Sequence, residues 1–252
     1  MRPILILATV LALAQPISAW AASDNAIAQA VASPTRTEAN RLRDKYRHPV
    51  ETLAFFGVKP RYTEILAPLV RDRGIYYAAT QPPGKYRDAT LKLVASDSAR
   101  FGKVRLSTLQ PGTPSEIAPA GSADVVLTFR NVHNLLMAGD AAAAQAFADF
   151  YKALKPGGVL GVVDHRLPEA ADSAREKTSG YIKKSTVVRL AQAAGFKLAA
   201  ESEINANPRD SADWPDGVWT LPPALRLGEK DRAKYLAIGE SDRMTLKFVK
   251  PK

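Results

Sequence analysis

Two short apolar runs carry the strongest pattern in the chain. Val125, Val126, Leu127 and Phe129 form the first, Val159, Leu160, Val162 and Val163 the second. Both are nearly continuous, as strands covered on two faces require, and a helical segment lies between them. Each run ends in polar groups: Arg130, Asn131, His133 and Asn134 after the first, Asp164, His165 and Arg166 after the second. Strand, polar end, helix, strand, polar end is the repeating unit of an open α/β sheet.

The flanking pattern extends that unit. Pro49 opens a helix with Glu51 near its positive end, Leu53, Phe55 and Phe56 on its apolar side and Gly57 at its stop. Ile65, Leu66, Leu69 and Val70 share one face of a second helix, closed by Gly74 before a strand from Ile75 to Ala79. A helix from Tyr86 to Ala99 leads to a strand from Val104 to Leu109, and a Pro- and Gly-containing loop returns the chain to Asp124. The Ala-rich stretch from Asp140 to Leu154 is helical with Phe147, Phe150, Tyr151 and Leu154 on one side, and Lys155-Pro156-Gly157-Gly158 turns the chain back. A helix from Lys184 to Ala194, strands from Phe196 to Ser202 and from Met244 to Val249, and an irregular excursion holding Trp214 and Trp219 complete the reading.

The 252 residues allow one α/β domain and are too few for two of ordinary size. Residues 1–21 carry Arg2, an apolar run from Ile4 to Ala14 and the triplet Ala19-Trp20-Ala21, the pattern of a signal peptide cut after Ala21. An uncleaved anchor is the competing reading, and the run is short for a membrane span. Residues 22–40 read as a flexible lead-in and 41–252 as the domain, which implies a periplasmic or secreted protein. The formal charge is +10, and removal of Arg2 leaves +9. Lys and Arg alternate with Asp and Glu in no like-charge block, which argues against specific nucleic-acid binding and leaves weak association with an anionic membrane surface. Zero cysteines exclude a disulfide framework, a thiolate metal site and a cysteine nucleophile.

In open α/β sheets, ligands bind outside the carboxyl ends of the strands, which puts the polar strand ends at a crevice. Asn131, His133 and Asn134 either touch a ligand there or cap the following helix. His133 is the candidate general base, because imidazole titrates near neutrality. Asp164 and His165 could form an orienting pair. Neighbours on a strand point to opposite faces, so no metal site is expected. Gly157 and Gly158 are turn residues, since no phosphate-loop pattern surrounds them. Trp214 and Trp219 could wall a ligand or anchor a packed loop.

The segments RDKYRHPVETLAFFGVKP, YTEILAPLVRDRGIYYAA, ARFGKVRLSTL, SADVVLTFRNVHNLL, LKPGGVLGVVDHR and SDRMTLKFVKP span most of the chain after residue 40. Together they resemble the class I S-adenosylmethionine-dependent methyltransferase family, and within it an exported bacterial branch of predicted methyltransferases. The resemblance implies a Rossmann-like three-layer α/β sandwich with a mostly parallel sheet, S-adenosylmethionine as cofactor and a small-molecule acceptor. With their position at the strand ends, Arg130, Asn131, Asp164 and His165 are then the candidate cofactor contacts, His133 the candidate catalytic residue and Asn134 a candidate substrate contact. The resemblance adds Tyr46 and His48, whose segment lies near the cofactor pocket in the family, as further substrate contacts.

One part of the family pattern is missing. Between the first helix and the YTEIL helix, members carry a strand and a glycine-rich loop that wraps the cofactor. Here Val58-Lys59-Pro60 runs straight into Arg61-Tyr62-Thr63. The acid expected after the second strand is also absent, since Tyr77-Ala78-Ala79-Thr80 offers a hydroxyl only. The sheet is therefore expected to be reduced, with Ile75–Ala79 sliding in to pair with Val125–Phe129 as one of six strands; a slot left open is the other arrangement. Two functions are compatible with this: a methyltransferase on an unknown acceptor, and a non-catalytic scaffold that binds a ligand.

Overall fold

The structure is a computed structural model and describes residues 26–57, 65, 67 and 74–252. The expected signal peptide, the Val58–Thr63 junction and most of the helix bearing Leu66, Leu69 and Val70 lie outside the described residues. Ile65 and Ala67 of that helix are helical and buried. Among the described residues no helix is long and apolar enough to cross a membrane.

The chain begins with α1 (26–31) and three short helices, α2 (Glu38–Arg41), α3 (Asp44–Arg47) and α4 (Pro49–Phe55). Strand β1 (Tyr76–Thr80), helices α5 (Lys85–Ser96) and α6 (Ser98–Phe101) and strand β2 (Val104–Thr108) form one parallel β-α-β unit. Then come β3 (Ala123–Phe129), α7 (Val132–Met137), α8 (Asp140–Ala153), β4 (Leu154–Leu167), β5 (Ile182–Lys183), α9 (Lys184–Ala193), β6 (Lys197–Ser202), α10 (Arg232–Ile238) and β7 (Arg243–Val249). The main sheet has the order β3-β4-β7-β6, with β5 beside the end of β4. Pairings β1/β2, β3/β4 and β4/β5 are parallel, and only those made by β7 are antiparallel.

Alternation along β4 separates two layers. Leu160 and Val162 face a core built with Val132, Leu135, Leu136, Phe147, Phe150, Val187 and Leu190 from α7, α8 and α9, and with Leu246 and Phe248 of β7. Val163 faces the opposite layer, where Ile27, Leu53, Phe56 and Ile65 gather. Helices thus cover both faces, and the architecture is the expected three-layer Rossmann-like α/β sandwich. Gly161 marks how tightly the second layer sits: a Cβ there would lie 2.6 Å from Leu127 Cδ2 and 2.8 Å from Phe56 Cδ1. Burying Phe147 or Phe56 completely contributes about 2–3 kcal/mol each.

Three expectations are corrected. First, β1 does not pair with β3; β1 and β2 form a separate two-stranded sheet, and among the described residues no strand lies between them and β3. Tyr76, Val125, Leu127 and Phe129 instead pack through their side chains on the Ile27-Leu53-Phe56 cluster. Side-chain packing on this flank takes the place that strand pairing was expected to fill, and Val125, Val126 and Leu127 stay only half-buried. Second, residues 26–40 are not a flexible lead-in. Ile27 is fully buried, and the Arg36 guanidinium, 6% exposed, grips Asp44 at 2.6 and 2.7 Å and the Val31 carbonyl at 2.6 Å. Third, the Lys155–Gly158 segment lies within the span of β4 instead of standing apart as a turn, although the register between β3 and β4 shifts there.

The excursion before α10 is a packed loop. Asp210 accepts bonds from Tyr181 Oη at 3.0 Å, Trp214 Nε1 at 2.7 Å, Ala212 N and Asp242 N, and Trp214 and Trp219 pack on Leu167, Tyr181 and Val218. Burial, with the neighbouring Asp210 carboxylate, pushes the Tyr181 hydroxyl well above the ordinary phenol range. Arg166, at the end of β4, grips Asp242 at 2.7 and 2.9 Å and Glu203 at 2.8 and 2.9 Å, which ties the ends of β4, β6 and β7 together.

Candidate functional site

The parallel ladder of β3 continues one step beyond Phe129, where Arg130 N donates to Val163 O at 2.7 Å. Arg130 then adopts a left-handed backbone, φ 51°, a conformation costly for a residue with a Cβ and concentrated at sites under functional constraint. This turns the chain into α7, whose N-cap residue Asn131 makes no side-chain cap. The cap comes from the next strand: His133 N donates to Asp164 Oδ2 at 3.1 Å. His133 Nδ1 lies 2.7 Å from Asp164 Oδ1, which also accepts His165 N at 2.8 Å. His165 Nδ1 is 2.5 Å from Ser241 Oγ.

Asp164 is fully buried, and its carboxylate is surrounded by donors. Burial alone would raise its pKa, yet the charge and hydrogen bond of His133, joined by His165, hold it down at about 2. His165 is pushed well below the usual imidazole value, chiefly by burial, so its ring is neutral at pH 7. The donor atoms of His133, Asp164 and His165 lie within 4.8 Å of one another, so the divergence expected of strand neighbours does not keep them apart. Their spacing is that of a hydrogen-bonded network: Asp164 Oδ1 already serves two donors at bonding distance. His133 Nδ1 is turned to Asp164, and the ring is boxed by His165 at 5.1 Å and Trp219 at 6.5 Å between centroids.

Two neighbouring cavities open at this rim. One, of about 300 Å³, is lined by Pro49, Ile65, Leu93, Phe129 and Val163 on its apolar side and by Arg36, Asn40, Asp44, Arg47, Arg130, Asn205 and Arg243. It therefore lies at the carboxyl ends of β3 and β4, beside the break between β1 and β3. The other, of about 350 Å³, is lined by Lys45, Tyr46, His48, Asn205, Asn207, Arg209, Glu240, Ser241 and Arg243. Asn205 and Arg243 belong to both walls. Asn205 is held by bonds from its Nδ2 to Thr52 Oγ1 at 3.0 Å and Thr245 Oγ1 at 2.9 Å, which lock α4 to β7 beneath the two cavities.

Arginines gather around this wall, Arg243 in it, Arg47 and Arg130 on the strand-end cavity, and Arg43 behind. Glu240, 4% exposed, accepts Arg43 Nε at 2.5 Å, Arg243 Nη1 at 3.2 Å and Arg47 Nε at 3.5 Å. These three cations hold its carboxyl below the ordinary range despite burial, which pushes the other way. Burial, then the charges of Arg130 and Arg43, lowers Arg47 to about 10 even though Glu240 opposes them. Arg130 is lowered in the same direction by burial and by Arg43 and Arg243.

Of the residues expected at the site, Arg130 lines the cavity at the strand ends and Tyr46 and His48 line its neighbour. His133, Asp164 and His165 come together, but they line neither cavity; they form a buried latch behind the wall, with His133 4% exposed. Their place as catalytic base and cofactor contacts is corrected accordingly, because Asp164 spends its acceptors on capping α7 and orienting His133. Asn131 stands at the N-cap position of α7 without making a side-chain cap, and Asn134, inside the helix and exposed, donates to Asn131 Oδ1 at 3.4 Å and Arg130 O at 3.5 Å. The residues missed were Arg43, Arg243 and Glu240. Arg43 and Arg47 are four apart, where two like charges repel, and that spacing was the one local signal of an acid arriving from elsewhere.

No protein-family model matches the chain, and no curated protein matches it in sequence. Solved structures do. A protein of Galdieria sulphuraria described as a sarcosine dimethylglycine methyltransferase is 15% identical with a TM-score of 0.51, over 84% of this chain and 85% of that one. A SAM-dependent methyltransferase of Aquifex aeolicus is 12% identical with a TM-score of 0.51, over 90% of this chain and 98% of that one. The likeness runs through nearly the whole of each molecule, and the chain has the Rossmann-like methyltransferase fold.

Proposed function

We propose that this chain is an S-adenosylmethionine-dependent methyltransferase of an exported bacterial branch, acting on a small acceptor. The observation that carries the reading is the place of the 300 Å³ cavity, outside the carboxyl ends of β3 and β4 and beside the break in strand order, where doubly wound sheets hold their nucleotide-like ligands. The lining suits the adenosine half of the cofactor: Phe129, Ile65, Leu93 and Pro49 offer an apolar wall, and Asn40 and Asp44 offer polar groups beside it. When bound, the cofactor supplies an electrophilic methyl group. The acceptor belongs in the adjoining cavity, against Tyr46 and His48, and His48 takes over from His133 as the group placed to receive an acceptor proton. Methyl transfer draws much of its rate from positioning, which two cavities with a common wall at Asn205 and Arg243 provide.

One observation favours the second reading, a non-catalytic ligand-binding scaffold. The buried Asp164-His133 pair of the sheet rim is turned inward and lines neither cavity. Calorimetric titration of the folded chain with S-adenosylmethionine and with S-adenosylhomocysteine separates the two. Saturable binding of both at micromolar to millimolar concentration is expected. A folded protein that releases no heat with either at several millimolar would leave the scaffold reading alone. Export is proposed from residues 1–21, and an N-terminus at Ala22 in the secreted protein is the expected result of sequencing it.

A further inference from the structure

The wall between the two cavities carries more positive charge than the protein itself neutralises. Arg47, Arg130 and Arg243 line the strand-end cavity, Arg243 lines its neighbour as well, and Arg43 joins them from behind through Glu240, so the cluster is drawn from three parts of the chain. The acids that face them are Glu240, which is shared by three of the four, and Asp164, which is already engaged by His133. Asp44, the acid in the lining of the strand-end cavity, is held by Arg36 in a two-pronged pair. Four guanidinium charges thus stand against one and a fraction carboxylates.

Independent of this count, Nη2 of Arg43 and Nη2 of Arg47 are buried and donate to no protein group. Buried guanidinium donors without acceptors are rare, because the lost hydration is not returned. The mutual repulsion is visible on Arg47 and Arg130, each of which is made easier to deprotonate by its arginine neighbours. The planar donor fork of arginine matches a carboxylate or a phosphate, which can bridge two such groups at once.

We propose that the Arg43-Arg47-Arg130-Arg243 cluster is the seat of an oxyanion group, a carboxylate or a phosphate, carried by the methyl acceptor. The inference rests on the methyltransferase reading for the word acceptor, and its electrostatics supply a reason for that assignment. A sulfonium cofactor beside these arginines is repelled by them, and an acceptor in the adjoining cavity whose oxyanion reaches across the common wall at Arg243 toward Arg47 and Arg130 reverses the sign of the local field. The cofactor and the acceptor then bind with mutual help, and a neutral or cationic acceptor is rejected.

The test uses inorganic phosphate and acetate as probes on the full folded chain, by calorimetry and thermal melting, against sodium chloride at equal ionic strength. Phosphate is expected to bind and to raise the melting temperature where chloride does not. Arg130→Gln and Arg47→Gln each raise the phosphate Kd by about tenfold or more, the scale of one lost charge-assisted bond. Arg130→Lys, which keeps the charge, retains part of the affinity and stands in if the neutral variant misfolds. Phosphate affinity that is unchanged or strengthened by saturating S-adenosylhomocysteine supports an acceptor group. Competition between the two would assign the arginines to the cofactor's own carboxylate and overturn the proposal, as would phosphate behaving like chloride. Phosphate binding in a chain that binds no cofactor would retain the oxyanion seat while removing the methyltransferase reading on which its occupant's name depends.

Discussion

Replacing Asp164 by Asn tests whether the latch behind the cavity wall is what holds the rim together. The carboxylate receives three donors, His133 Nδ1 at 2.7 Å, His165 N at 2.8 Å and His133 N at 3.1 Å, and is itself fully buried. Asparagine keeps the shape, removes the charge and presents an amide NH2 to at least one of those donors. Breaking a buried charged pair from one side costs about 3–5 kcal/mol, and for a domain of this size that lowers the melting temperature by about 10 °C. The assay is urea unfolding followed by tryptophan fluorescence, for which Trp219 is well placed, 6.5 Å from the His133 ring. The pH dependence has a definite sign. The Asp164 pKa falls from 3.8 in the unfolded chain to about 2 in the folded one, so its contribution is complete above pH 4 and is lost as pH falls toward 2. That shift alone is worth about 2 kcal/mol. The gap between wild type and variant should therefore be widest near neutrality and narrow below pH 4. A difference under about 1 kcal/mol at pH 7, or one that does not change down to pH 2, would refute the account of the latch.

The remaining predictions concern other parts of the same frame. His165 is held neutral by burial, so the unfolded chain binds a proton that the folded chain refuses, and stability should fall by about 1.4 kcal/mol per pH unit below pH 6.5 until the folded-state value is reached. A His165→Gln variant flattens that limb of a stability-against-pH curve, and an unaltered slope would exclude His165 as its source. Gly217 has φ 55°, and a Cβ there would stand 2.1 Å from the Ser179 carbonyl oxygen that Val218 N uses at 2.8 Å. Gly217→Ala is expected to cost about 3 kcal/mol or more in thermal or urea unfolding, well beyond the roughly 1 kcal/mol of a left-handed alanine; a near-neutral result would mean that the excursion is free to shift.

The elements with strong periodicity were legible in the sequence. The run at Val125–Phe129, the helix opened by Pro49 and the Ala-rich helix after Asp140 stand within a residue or two of where their patterns put them, and the run at Val159–Val163 is the middle of a longer strand, Leu154–Leu167. A strand buried on two faces and a helix with one apolar stripe announce themselves locally. Pairing between distant elements does not: nothing in Tyr76–Thr80 shows that its free side meets side chains instead of a strand. The polar strand ends were likewise visible as a group, but not which way each would turn. Asp164 and His133 turn inward because a buried carboxylate needs donors, and α7 needs a cap that Asn131 leaves unmade. The arginine cluster was hidden for a different reason. Its members are drawn from residues 43, 47, 130 and 243, and only folding reveals that they share a single glutamate.

The separation of the β1-β2 pair from the main sheet bears on how this molecule comes apart. Within each sheet the backbone ladder makes opening a cooperative event; across the break, among the described residues, the contacts include interdigitated hydrocarbon and the bond from Arg100 Nη1 to the Thr35 carbonyl at 3.2 Å, with no strand ladder. The molecule is thus two cooperative blocks in contact, and the rim of the 300 Å³ cavity draws Leu93 from one block and Phe129, Arg130 and Val163 from the other. Loosening of the smaller block widens that cavity while the arginine wall stays in register on the larger one, so ligand entry needs no disruption of the residues that would hold it.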